Sequence, residues 1–220
     1  MPNPAINQLL EEQTNSKSVI NFSIDDGFIS LRCLSPKKLR FEIEYSLGKG
    51  TTSNSFLFYK QQDLTAVLAN PPGSNFEEVF LPALNKIIPK NLKELIVIVG
   101  HINPNRVNLL RKLSKQYNNL TIICSNPGGK LLKELWTQVK PTKANNTTLK
   151  PDIPPIPKIN LIKQETSISI PNGYVIKLIP SPTARWPGGL ITFEETTGFL
   201  MSDKLFGAHI CSQEWEEKNR

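Results

Sequence analysis

The run Leu95-Ile96-Val97-Ile98-Val99-Gly100 is almost unbroken aliphatic sequence, six residues long, and β-branched at four of them. A run that short and that branched reads as a strand. Its lack of polar alternation means that both faces are covered, as for a strand inside an α/β layer. The flanking sequence can supply the covers. Glu77 to Ile88 carries apolar residues at helical spacing, with Ser74 or Asn75 placed to cap it, acids in its first turn, and Pro82 fitting only an early turn or a kink. Asn105 to Tyr117 is a second helix, with Val107, Leu110 and Leu113 on one face and Arg106, Arg111, Lys112 and Lys115 largely outside it. Leu120 to Cys124 is the next strand, Ser125 to Gly129 a turn, and Lys130 to Val139 a third helix. Strand, helix, strand, helix in quick succession marks an α/β layer.

Around this centre the sequence is β-rich. Ile20 to Arg32 and Leu39 to Leu47 read as strands broken at Asp25-Asp26-Gly27 and Pro36. Gly48 to Ser55 is small and polar and reads as a loop, before strands at Phe56–Tyr59 and Leu64–Ala69. Ile159 to Ile170, Tyr174 to Ile179, Leu190 to Phe193 and Gly198 to Met201 are further strands joined by Pro, Asn and Gly turns. Strands at both ends with helices between them suit two sheets face to face with helices outside. Pro141 to Ile159 holds five prolines among Thr, Lys and Asn, and reads as an extended loop or insertion over residues 141–158.

The chain has 220 residues and a formal charge of +7, enough for one domain with a substantial core, 1–220. Its cations are scattered, and the one tight run, Lys37-Lys38-Leu39-Arg40, has no interleaved aromatics, so nucleic acid is not expected as a partner. Cys33, Cys124 and Cys211 are odd in number and far apart, which fits reduced core thiols in a cytoplasmic protein. The N-terminus is polar, with Glu11 and Glu12 where a signal peptide would need an apolar segment, so none is expected, and no apolar run reaches the ~20 residues of a membrane span. The Asn-x-Thr sites at Asn119, Asn145 and Asn146 are accordingly not expected to be glycosylated. Ser125 to Lys130 lacks the Ser/Thr that a phosphate-binding P-loop requires after its Lys. Thr51 to Ser55 have no partnered His to activate a hydroxyl. Asp25, Asp26, Glu194 and Glu195 lie in turn-like sequence and are expected to be solvated.

The strand at Leu95–Gly100 runs into His101-Ile102-Asn103-Pro104-Asn105-Arg106. A His followed by polar residues at alternate positions after a buried strand resembles the His-x-Glu-x-Asp-His loop of the metallo-β-lactamase superfamily, with amides and a guanidinium in place of the carboxylates and second imidazole. With Gly50 to Leu57, Arg185-Trp186-Pro187-Gly188 and Phe199 to Gly207, the chain resembles the N-terminal metallo-β-lactamase-like domain of flavodiiron proteins, most closely the cyanobacterial diflavin type with a degenerate metal site. The resemblance runs from about Asn21 to the end. It implies an α+β fold, an αββα metallo-β-lactamase-like sandwich incomplete at its C-terminus.

Carried over residue by residue, the resemblance places His101, Asn103, Asn105, Arg106, Arg185 and Lys204 at former ligand positions, with Asp203 beside Lys204. His209 is expected to be a core or neighbouring residue. Intact family members pass electrons from NAD(P)H through FMN to oxygen at two irons, and dimerise so that one chain's flavin approaches the other's metal domain. Here the matched positions supply donors only, apart from one imidazole and two amides. Neither metal nor flavin is expected in this chain, whose flavodoxin-like and flavin-reductase domains are expected to be absent. The expectation is therefore a truncated or companion subunit of a flavodiiron oxidoreductase system, partnered with a homologous chain as a homo- or heterodimer. The alternative is a non-catalytic interaction or regulatory domain with a small-anion pocket at Arg106, Arg185, Lys204, Asn103 and Asn105. A structural polar cluster, with Asp203 neutralising Lys204 or an Arg, remains open beside it. A metal-dependent hydrolase suffers from the same missing ligands.

Overall fold

The computed structural model describes residues 16–36, 50–138, 152–207 and 211–214, with the backbone of 142–144 and 147–149. The expected strand at Leu39–Leu47 and His209 lie outside these residues. Antiparallel strands β1 (Ser18–Asp25), β2 (Phe28–Ser35), β3 (Thr51–Phe58) and β4 (Thr65–Ala69) lead into parallel β5 (Glu94–Ile98), β6 (Leu120–Ser125) and β9 (Lys158–Ile162), in the order β1-β2-β3-β4-β5-β6-β9. A second sheet is antiparallel, with β10 (Thr166–Ser169), β11 (Val175–Pro180), β12 (Leu190–Glu194) and β13 (Phe199–Met201) in sequential order. Helices α1 (Glu77–Ile87), α2 (Pro104–Gln116) and α3 (Asn126–Thr137) cross between the parallel strands. The Pro-rich stretch contains a small hairpin of β7 (Thr142–Ala144) and β8 (Thr147–Leu149).

Strand alternation sorts the apolar residues into two cores. On β4 and β5, Ala66, Leu68, Leu95 and Val97 face the helices and pack with Phe80, Leu84, Val107, Leu110 and Leu113. Val67, Ala69 and Ile98 face the other way, against Ile176, Leu178 and Leu190 of the second sheet. At the centre of the inter-sheet core Phe28 stacks on Phe58, with ring centroids 4.1 Å apart, and meets Phe199 edge-on at 5.4 Å. The two sheets therefore lie face to face, with α1 to α3 outside the larger one. No helix covers the outer face of the smaller sheet among the described residues, and none of the described helices is long and apolar enough to cross a membrane.

Several local expectations are corrected. Thr51–Ser55 is not loop but the first half of β3, paired residue for residue with β2; its small polar side chains fit a strand because Thr51 and Ser55 are buried and the Ser55 hydroxyl donates to the Asn70 carbonyl at 2.9 Å. Neither Ser74 nor Asn75 caps α1. A 3-10 turn, Ser74–Phe76, precedes it, and the N-cap position falls to Phe76 with no side-chain cap. Helix α3 begins at Asn126 directly after β6, because Ser125 caps it by accepting the Gly128 N–H at 3.1 Å; Gly128 and Gly129 are inside the helix, where a Cβ on Gly129 would fall 2.2 Å from Leu161. Ile159–Ile170 is two strands, β9 and β10, in different sheets.

Glu194 is buried rather than solvated. Its carboxylate accepts from the Thr196 and Thr197 amides and the Thr197 hydroxyl at 2.6–2.9 Å. Burial alone would raise its pKa, but these bonds hold it below the usual value. Asp25 is likewise engaged: the Tyr174 hydroxyl, 2.9 Å from its Oδ2, ties the β1–β2 turn to the second sheet.

Arg111, expected on the solvent side of α2, is also buried. The reason is the end of α3, where orphan carbonyls need donors. Nε and Nη2 of Arg111 donate to the Trp136 carbonyl at 3.1 and 2.7 Å, Nη2 also to Leu135 at 2.5 Å, and Nη1 to Asn108 Oδ1 at 2.6 Å. A cation at a helix C-terminus is favourable both as a donor and against the helix dipole. Arg111→Ala is expected to lower stability by about 2 kcal/mol in urea unfolding, with Arg111→Lys recovering only part, since a point charge replaces a planar fork.

Candidate functional site

The site lies at the C-terminal ends of β4 and β5, the edge where open α/β sheets present their loops. Two residues shape its floor. Asn70 follows β4 in a left-handed conformation (φ 53°), buried, with Oδ1 accepting the Gly100 N–H at 3.3 Å. Gly100 ends the β5 segment, and its carbonyl accepts the Leu190 N–H at 3.0 Å. A Cβ on Gly100 would lie 2.8 Å from Asn70 Oδ1, the Cβ of Asp203 and the Leu190 carbonyl, so only glycine lets the loop after β13 close onto β5.

The loop after Gly100 turns into α2. Asn103, in extended conformation, caps the helix by accepting the Arg106 N–H at 2.8 Å, and Pro104 occupies the first turn where no N–H is missed. Arg106 is thereby fixed at the third helical position, and it is buried, not outside as the helical pattern suggests. Its Nε donates to the Pro71 carbonyl at 2.8 Å and Nη1 to the His101 carbonyl at 2.9 Å. Nη1 and Nη2 grip Asp203 Oδ2 and Oδ1 at 2.9 and 2.5 Å. The side chains of this bidentate pair are 8% and 6% exposed, so it sits out of water, where such geometry counts most. Burial would raise the Asp203 pKa. The charge and hydrogen bonds of Arg106, then the charges of His101 and Lys204, outweigh it and hold the carboxyl below its usual value.

His101 is half-buried, edge-on to Trp186 with centroids 6.0 Å apart. Lys204 shares with Asn103, Asn105 and Arg106 a cavity of about 70 Å³ against Thr51–Ser53 and the 3-10 turn, and with His101, Asp203 and Trp186 a smaller one. Arg185 is exposed, its guanidinium 5.3 Å from the Trp186 ring centre. Thus His101, Asn103, Asn105, Arg106, Asp203 and Lys204 are brought together. Arg185 lies over Trp186 and lines neither cavity. Among the described residues no group of three or more His, Cys, Asp or Glu could hold a metal ion.

Sequence reasoning missed Asn70, Pro71 and Gly100 as the parts that hold the cluster. An Asn between a buried strand and Pro71-Pro72 was the available signal, since Asn is among the few residues that accept a left-handed backbone. The Asn70 amide nitrogen is buried without a hydrogen-bond partner among the described residues.

Face-to-face sheets, helices outside the larger one and a site on the loops after β4, β5 and β13 define a metallo-β-lactamase-like fold. No protein-family model matches the chain. It is 36% identical over 203 residues to diflavin flavoprotein A 6 of Nostoc sp., covering 92% of this chain and 32% of that one. Among solved structures it is similar to the metal-soaked Flv1 flavodiiron core from Synechocystis sp. (TM-score 0.79, 32% identity, 92% of this chain and 46% of that one). It is similar too to the 1–254 fragment of diflavin flavoprotein A 5 from Nostoc sp. (TM-score 0.72, 31% identity, 90% of this chain and 70% of that one). The chain belongs to the diflavin flavoprotein, or flavodiiron, family. It spans about a third of the length of the curated relatives it matches.

Proposed function

We propose that this chain is a companion subunit in a cytoplasmic flavodiiron-type system that passes electrons from NAD(P)H to oxygen, and that it holds no di-iron pair itself. The observation that carries the reading is the Arg106–Asp203 pair. Where the family resemblance puts a metal ligand, a permanently charged guanidinium lies buried and occupies both oxygens of the nearest carboxylate. Two irons need several anionic or neutral lone-pair donors; beyond Asp203 this group offers His101, whose ring faces Trp186, and the amides Asn103 and Asn105, the first engaged as a helix cap. These residues do not fit the metal pair. On this reading residues 1–220 act as one domain, and the flavin and the irons belong to a homologous chain paired with it.

The test is a comparison of three samples. The purified chain should carry substoichiometric iron by plasma mass spectrometry and consume no oxygen with NAD(P)H; mixed with a full-length diflavin flavoprotein it should form a complex and change that protein's oxygen uptake. Stoichiometric iron in the chain alone would sink the reading.

A second reading, a non-catalytic interaction or regulatory domain with an anion pocket, is favoured by one feature. Asn70, whose amide nitrogen has no hydrogen-bond partner among the described residues, lines one groove with Lys204, and both side chains are donors. Arg106 lines the same groove with its guanidinium bound to Asp203, and Arg185 is not part of that lining. Heat on titration with phosphate, lost in Lys204→Ala, distinguishes it from the first reading.

A further inference from the structure

We propose that Asn172 is a site of spontaneous deamidation, at which the amide in the β10–β11 turn converts to a carboxylate and loosens the edge of the smaller sheet. The inference is independent of the companion reading. Asn172-Gly173 is the one Asn-Gly dipeptide in the chain. In such a dipeptide the backbone nitrogen after the asparagine attacks the side-chain carbonyl with no β-carbon in its way.

The turn leaves that attack open. It follows Ser169, which pairs with Val175 at the end of the β10–β11 ladder, and Gly173 is exposed, with a φ of 91°. A Cβ built on Gly173 meets nothing within 4 Å, so a cyclic imide has room there. Oδ1 and Nδ2 of Asn172 are both buried without a hydrogen-bond partner among the described residues. Polar atoms buried in that way are costly, and turning the carboxamide toward the backbone breaks no bond to those residues. Other asparagines are held: Asn103 caps α2, Asn70 accepts the Gly100 N–H, and Asn108 accepts from Arg111. One bond opposes the reaction. The Gly173 N–H donates to the Ile170 carbonyl at 3.1 Å and must let go before the nitrogen can act, so the rate follows local opening of the turn. Opening is easy at this place, because β10 is an edge strand, largely exposed and paired only with β11 among the described residues.

The chemistry needs only the chain and water. The Gly173 nitrogen loses its proton to hydroxide and bonds to Cγ of Asn172, ammonia leaves, and a cyclic imide results. Water then opens the imide at one carbonyl or the other, giving aspartate or isoaspartate at position 172. Each stage weakens the turn. The imide has no N–H at Gly173, so the Ile170 carbonyl loses its donor. Isoaspartate adds a methylene to the backbone inside a turn closed by the Ile170 N–H on the Tyr174 carbonyl at 3.0 Å. Aspartate puts a charge where the amide oxygen found no donor, in a turn that leads into Tyr174, whose hydroxyl already lies 2.9 Å from the Asp25 carboxylate. A charge buried there without a partner is unfavourable, so the side chain leaves its place for water.

The test ages the full chain at neutral and at alkaline pH and maps its peptides by mass spectrometry. Asn172 is expected to turn from amide to acid, as isoaspartate and aspartate together, about tenfold faster than Asn54, because Ser55 after Asn54 lies inside the β2–β3 ladder and opens more rarely. The rate should rise with pH, since the attacking nitrogen must lose a proton. Asn172→Gln, whose longer side chain closes a ring far more slowly, should keep its amide, and Asn172→Asp should melt below the wild type. Conversion of Asn172 in the urea-unfolded chain with none in the folded chain overturns the proposal, because the turn then protects its amide. Conversion no faster than at Asn54 overturns it as well. Equal conversion in Asn172→Gln overturns the route through the imide, and a midpoint of Asn172→Asp at or above that of the wild type overturns the loosening of the sheet edge.

Discussion

Asp203→Asn is expected to lower the stability of this protein by about 3–5 kcal/mol at pH 7, the usual loss when one member of a buried ion pair is removed and the other is left uncompensated. Asparagine keeps the shape and accepts the positive φ of 54° found at Asp203, so the loss isolates charge from backbone strain. The penalty arises at Arg106. Its side chain is 8% exposed and would keep its bonds to the Pro71 and His101 carbonyls but lose its anion. The double variant Arg106→Met/Asp203→Asn, with no buried charge, should be more stable than either single variant. Since the folded Asp203 pKa is lowered, the pair stabilises the fold above the unfolded value of ~3.9, and this contribution is lost as pH falls through the folded pKa. Urea midpoints of wild type and Asp203→Asn should therefore lie far apart at pH 7 and draw together in acid. Equal midpoints at pH 7 would mean that the pair holds nothing.

The same pair shows where the sequence was readable and where it was not. The parallel strand at Leu95–Gly100 and the helices around it were legible because burial on two faces leaves an unbroken aliphatic run, and helical spacing leaves its own period. The candidate site was expected at the end of that strand. What Arg106 does there was not legible, because its partner is 97 residues away and no periodicity records a contact of that kind. The helical pattern placed Arg106 and Arg111 at the solvent face by charge alone; both are drawn in by acceptors that the sequence does not display, the carbonyls of Pro71, His101, Leu135 and Trp136. Thr51–Ser55 was misread for a related reason. Hydroxyl-rich sequence suggests a loop, yet a central strand accepts such residues when a buried hydroxyl finds an acceptor, as Ser55 does at the Asn70 carbonyl. Asn70 escaped notice because a left-handed residue leaves only a weak trace when it is not glycine.

The second large effect is expected at Phe28→Ala, with a loss of about 3–5 kcal/mol in urea unfolding. Phe28 is fully buried, stacked on Phe58 and met edge-on by Phe199 and Tyr174, at 5.4 and 5.8 Å. Aromatic pairs of this geometry add to the burial of area, so the cavity removes both terms. The consequence for the site runs through Phe199, the first residue of β13: its ring packs on Phe28 and Phe56, and the loop bearing Asp203 and Lys204 begins where that strand ends. With the Phe28 ring gone, β13 loses its hold on the larger sheet before α2 loses its own packing on the helix side of that sheet. Native-state hydrogen exchange should then show the amides of Met201 to Leu205 opening more readily than those of Val107 to Leu113. Uniform loss of protection across both segments would mean that the site's loop is held by Arg106 and Gly100 alone, and that the inter-sheet aromatics contribute only to global stability.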